Sequence, residues 1–271
     1  MTHAIWLMCI GLLLAVPATA QTAAVAAPPD RPAPFEITDN AFLIEEAFNQ
    51  EAGVVQNIFQ WSSKRDGVWS GNFTQEWPLA GMRHQISYTL PFSGGSITTA
   101  FDSAIVNYRY QALEEGPGRP AFAPRFSVII NTRGDNAAEA IDLQINMPFS
   151  KQVGDFYFHW SGGLTWGVDV PRPGLGGGTL TSPQVAGSVI WRMRPMFHLM
   201  FENVLDYDGS FSGSGTVHDA SYTYAPGFRW GWNFGERQLV IGAAATFEVF
   251  KDAPTRAAAL TYFSYELPFL K

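Results

Sequence analysis

Cysteine is all but missing from this chain. Cys9 is the single one among 271 residues, and it lies in a stretch expected to be removed. A disulfide framework, a cysteine nucleophile and a zinc–thiolate centre are thereby excluded from the mature chain. Positive charge is scarce as well: 17 Lys+Arg stand against 24 Asp+Glu, a formal charge of -7. With no basic stripe to neutralise phosphates, no nucleic-acid partner is expected. After the first twenty residues no apolar run reaches the roughly 18 residues that a membrane-crossing helix needs. No two histidines have metal-ligand spacing, and Gly174 to Thr179 lacks the Gly-Lys-Ser/Thr ending of a phosphate loop. Neither a metal nor a cofactor is expected. Gly174–Thr179 and the Gly/Ser-rich run from Gly209 to Gly215 are both expected to be external loops.

What the chain does have begins with an export signal. Residues 1–20 contain an apolar stretch from Ile5 to Val16, and Ala18-Thr19-Ala20 forms a small-x-small cleavage pattern. Residues 21–37 are an Ala/Pro-rich tail, expected to be extended. Residues 38–52 read as a short amphipathic helix. Thr38, Asp39 or Asn40 can cap it, Glu45 and Glu46 sit early, and Phe42, Leu43, Ala47 and Phe48 recur at helical spacing.

From residue 53 to 271 the period is two. In 69–77, Trp69, Gly71, Phe73, Gln75 and Trp77 alternate with Ser70, Asn72, Thr74 and Glu76. The same alternation marks 85–92, 141–149, 155–166 and 221–233, with weaker versions at 54–61, 103–112, 125–131, 184–193, 197–205, 238–248 and 259–269. Twelve strands with no helix between them make an antiparallel sheet joined by hairpins.

Aromatic spacing points to a membrane. Trp69/Trp77, Phe156/Trp166 and Tyr222/Trp232 bracket strands on their apolar faces. At ~3.3 Å per residue and a tilt near ~40°, these intervals project to roughly 20–25 Å, the height of a lipid-facing band between two aromatic girdles. Long and short connections alternate in the second half: Gly167–Ser182, Arg194–Met196, Asp206–Asp219, Phe234–Arg237. Outer-membrane barrels show this asymmetry. The expected fold is an all-β transmembrane antiparallel barrel of about twelve strands with a short N-terminal helix that either plugs the lumen or rests beneath it, located in the outer membrane of a Gram-negative cell. Its expected partners are outer-membrane lipid and lipopolysaccharide, small solutes, and the barrel-insertion machinery. The last would read the aromatic C-terminal strand Thr261–Phe269.

The polar face would line the lumen with Glu76, Arg109, Arg125, Asp142, His159, Arg192, Glu202, Arg229, Glu248 and Glu266. Both signs are present, so these residues either pair into a network that packs the interior or border a solute path. Catalytic residues are not expected. One enzymatic alternative is a membrane-embedded lipid hydrolase using Ser161 beside His159, although two positions apart on one face is a weak arrangement for a nucleophile and its base. A structural barrel without transport activity is a third reading.

The stretches Ile44–Glu51, Arg83–Phe92 and Val106–Gln111 resemble a family of outer-membrane transporter barrels grouped with a meta-pathway phenol-degradation component. The resemblance spans most of the mature chain. It implies a barrel that passes small hydrophobic or aromatic compounds, and it carries over no catalytic residue.

Overall fold

The computed structural model describes residues 36–37, 39–79, 81–95, 98–132, 141–172, 175–213 and 215–269. The expected signal segment 1–20 and most of the tail lie outside them, as does Thr38. The strands are β1 (Val54–Lys64), β2 (Trp69–Leu79), β3 (His84–Gly94), β4 (Thr99–Phe101), β5 (Ser103–Tyr110), β6 (Ala121–Phe122) and β7 (Arg125–Asn131). They continue with β8 (Ile141–Val153), β9 (Phe156–Arg172), β10 (Gly176–Arg194), β11 (Phe197–Ser212), β12 (Gly215–Phe234), β13 (Arg237–Phe250) and β14 (Arg256–Pro268). Two are short satellites, β4 on β3 and β6 on β8. The other twelve pair antiparallel with their neighbours, and β1 pairs with both β14 and β2. The ring is closed, so the wall leaves no edge strand.

Exposure is inverted relative to a water-soluble domain. On β7, Phe126, Val128 and Ile130 face outward at 52%, 40% and 45% exposure, while Ser127 between them is buried at 4%. The same parity puts Phe158, Trp160, Phe201, Trp230, Ile241 and Phe263 outside, and Arg229, Glu202 and His159 inside. Hydrocarbon accepts the first set, and only a closed barrel satisfies every backbone group within it. Outer rings stack across strands, as with Trp61 on Trp69 at 4.4 Å and Tyr224 on Phe247 at 5.0 Å.

The sequence reading needs two corrections. Most of residues 167–183 and 206–220, expected as long loops, is strand: β9 runs on to Arg172 and β10 starts at Gly176, while β11 runs on to Ser212 and β12 starts at Gly215. β9 has 17 residues against 11 in β1, about 20 Å more strand. Beyond the membrane both faces of such a hairpin meet water, so the apolar alternation fades while the ladder persists. The second correction concerns the helix expected over 38–52. Residues 39–52 form no helix; they run as an irregular strap through the lumen, for reasons found in the wall around them.

Candidate functional site: the strap in the lumen

Twelve strands enclose more space than inward side chains fill, and less than an open porin does. Here the strap occupies it. Ile37, Phe42 and Ile44 are buried at 0%, 4% and 3%, packed in one cluster with Ile190, Met200, Val240, Leu260 and Tyr262 of the wall. The Phe42 and Tyr262 rings lie 5.1 Å apart.

The wall also supplies the hydrogen bonds that a helix would have made for itself. Glu202 on β11 accepts from three successive strap amides: Phe42 N at 2.9 Å, Leu43 N at 2.7 Å and Ile44 N at 3.2 Å. Ser150 Oγ accepts from Ala47 N at 2.8 Å, and Gln85 Oε1 from Gln50 N at 2.6 Å. Arg229 on β12 donates to the carbonyls of Ile37, Asp39 and Asn40. Gln60 donates to Phe42 O at 2.7 Å, and Arg109 to Glu46 O at 3.2 Å. Backbone groups satisfied by fixed side chains have no need of an i to i−4 ladder, and the helical spacing of the apolar residues is overridden.

Charge pairing follows the same division. The strap brings acids and the wall brings arginines. Arg109 Nη1 lies 3.0 Å from Glu45 and its Nη2 3.6 Å from Glu76; Arg125 reaches the other Glu45 oxygen at 3.0 Å; Arg229 lies 3.3 Å from Glu46. His159 Nε2 stands 3.6 Å from Glu46. Asp39 accepts from Gln56 and Tyr262. Burial pushes the Glu46 carboxyl up to about 7 against the pull of Arg229, and burial likewise raises Asp39.

All ten residues expected in the lumen occupy inward positions. Seven hold the strap: Glu76, Arg109, Arg125, His159, Glu202, Arg229 and Glu266, the last accepting from Gln50 Nε2 at 3.3 Å. The remaining three lie apart from it. Asp142 accepts from Asn131 at 3.0 Å, and Arg192 pairs with Asp155 at 2.7 Å by the β8–β9 turn. Glu248 stands opposite Arg256 on the β13–β14 ladder. The sequence points to this segment as a plug of the lumen, but not to the strap residues that the wall holds, Asp39, Glu45 and Glu46 among them. A signal for them was present: three of the eight residues from Asp39 to Glu46 are acidic, in a chain whose inward face carries Arg109, Arg125, Arg192 and Arg229.

The connection from 111 to 124 is long for a turn, and it packs against the strap at the end of the barrel where β14 finishes. Ala121 and Ala123 are fully buried against Ala47. Glu115 accepts from Lys151 Nζ at 2.9 Å and from the Tyr157 hydroxyl at 3.1 Å. Two cavities border the strap. The one toward this end measures about 140 Å³ and the one toward the far end about 180 Å³.

The two residues of the hydrolase alternative are separated by their partners. His159 Nδ1 bonds Ser150 Oγ at 2.8 Å, and the same oxygen accepts from Ala47 N. In the β-ladder Ser161 stands opposite Pro148 and Ala186. His159 is 1% exposed, behind the strap.

No family model matches the chain, and no curated protein matches it in sequence. Solved structures do match. An outer membrane channel from Pseudomonas putida F1 superposes with a TM-score of 0.55 at 12% identity, over 81% of this chain and 97% of that one. The NanC porin gives 0.51 at 8% identity, over 80% and 100%. At such identities the likeness is one of architecture: this chain has the barrel fold of outer-membrane channels and porins.

Proposed function

We propose that this chain is an outer-membrane channel for small solutes, held closed by its own N-terminal strap. The observation that carries the reading is the strap's mode of attachment. It is a separate segment, fixed by side-chain bonds from Glu202, Arg229, Arg109 and Ser150, while the wall closes without it through β1 and β14. A part that the barrel does not need for closure, yet that fills its bore, is suited to gating. The apolar belt suits a barrel seated in outer-membrane lipid and lipopolysaccharide. The aromatic final strand, with Phe263 and Phe269 exposed, suits the insertion machinery. The sequence resemblance adds small hydrophobic or aromatic compounds as a solute class; the channel reading does not depend on that restriction.

Planar-bilayer recording of the refolded mature protein tests it. Wild type is expected to rest closed with infrequent openings, and Glu202→Ala and Arg229→Ala to stay open far longer. A closed bilayer with both variants, each shown to be folded, would refute the proposal. Permeability-deficient cells carrying either variant should also take up small solutes faster than cells carrying wild type.

A further inference from the structure

The strap does not divide the lumen evenly. Its apolar residues are seated mainly against β10 to β14, through Ile190, Val204, Val240, Leu260 and Tyr262, with Ile58 of β1 and Tyr157 of β9 at the two margins of the cluster. Toward β1 to β9 the wall changes character. On its wall side the larger cavity is bordered there mostly by carboxamides and hydroxyls, among them Gln60, Asn72, Thr74, Thr89, Asn107 and Asn146, and on its strap side by Ala41 to Ile44. Asn146 is only 7% exposed, and its Oδ1 has no hydrogen-bond partner among the described residues. The charged groups on that cavity are Glu45, Glu76 and Arg125, linked to one another directly or through Arg109 at 3.0–3.6 Å. A passing ion therefore meets compensated charge of both signs.

Asn40 and Glu76 line both cavities, and Asn40 Nδ2 donates to Glu76 Oε1 at 3.4 Å. That contact forms part of the partition between the two spaces.

We infer that the solute path runs along the β1–β9 side, past Asn40 and Glu76, and that it takes neutral, hydroxyl-rich solutes of saccharide size. The inference rests on the channel reading and narrows it. Carboxamides and hydroxyls both donate and accept, so they replace the water around a polyol group for group. Thr74 already pairs with Thr89, Asn72 with Gln60 and Asn107 with Ser87 and Ser127, so what an apolar or aromatic solute would leave unanswered is Asn146 Oδ1 and the lone pairs those contacts do not use. The solute class differs from the one implied by the sequence resemblance, and the chemistry of the wall is the reason.

Liposome swelling decides the matter, using the refolded mature protein carrying Glu202→Ala to free the strap, with glucose, gluconate and benzenesulfonate as probes. Glucose should enter about tenfold faster than either anion, the scale of discrimination expected from paired against unpaired polar groups. Asn72→Leu with Asn107→Leu should abolish that preference while potassium chloride conductance stays within about twofold. Asn72→Thr with Asn107→Thr, which keeps a hydroxyl at each place, should retain it. Equal entry of the three probes would overturn the solute class alone, as would a glucose rate untouched by the leucine pair in a folded barrel. Should the leucine pair fail to fold, the ratio of glucose to gluconate in the parent decides. Absence of any salt conductance in the strap-freed barrel would overturn the channel reading, and the solute class with it.

Discussion

At the scale of single residues the strap is held by a few buried groups, each serving several partners. Glu202 answers three consecutive amides. Its replacement by alanine leaves them without an acceptor, at about 1–3 kcal/mol per orphaned group before water enters. Arg229→Ala leaves the Glu46 carboxylate and three strap carbonyls unanswered, a loss of about 3–5 kcal/mol of docking. The two effects are expected to add incompletely, because both residues hold the same stretch of chain. Glu46 also predicts a pH response. Free in water its carboxyl titrates near 4.5, and docked it sits at about 7, raised by burial and by the neighbouring Asp39 and Glu202 and lowered by Arg229. A raised value in the docked state means that the stabilisation is complete below about 4.5 and is lost as pH rises through 7. Protease clipping of the strap in detergent-folded protein should therefore quicken between pH 5 and pH 8. Glu46→Gln should flatten that profile, and an unchanged profile in this variant would remove Glu46 from the account.

At the scale of elements, the wall makes room for the strap where it lacks side chains. A methyl placed on Gly242 of β13 would overlap the Phe42 ring, and one on Gly227 of β12 would press on the backbone of β13. Gly242→Ala is expected to weaken strap docking by about 1–3 kcal/mol, the usual range for overpacking. The barrel's own thermal transition should stay in place, with Gly162→Ala as the neutral comparison because its added methyl meets open space. Clipping rate against heat-modifiable migration separates the two. The elements also mark where the sequence is readable. Between hydrocarbon and lumen a strand must alternate, so all twelve wall strands can be found from residues such as Phe126, Val128 and Ile130, and parity alone assigns Arg109, Glu202 and Arg229 to the interior. The distal halves of β9 to β12 carry no such imprint, since water lies on both sides. The strap was misread because Phe42, Leu43, Ala47 and Phe48 satisfy a helical period, whereas the acceptors that make a helix unnecessary are about 100 to 160 residues away, on Ser150 and Glu202. Parity says that a side chain points inward, but not what it meets there.

For the molecule as a whole, the outward belt fixes the solvent. Val128 lies mid-strand on β7 and 40% exposed. Val128→Arg should cost about 2–4 kcal/mol of stability in a lipid bilayer if that face is bathed in acyl chains. A surface residue in water would tolerate the change within about 0.5 kcal/mol. Urea unfolding from vesicles measures the difference, and fractionation of cells should place the protein with the outer membrane. The strap adds a matter of chronology. Its anchors on Glu202 and Arg229 lie about 160 and 190 residues further along the chain, on strands that a ribosome makes much later. A segment translated early therefore has nowhere to settle until β11 and β12 stand in the finished ring. Docking of the strap thus waits on most of the wall, and only β13 and β14 remain to be made when its anchors exist, so the plugging of the bore and the closing of the ring by β14 on β1 fall close together.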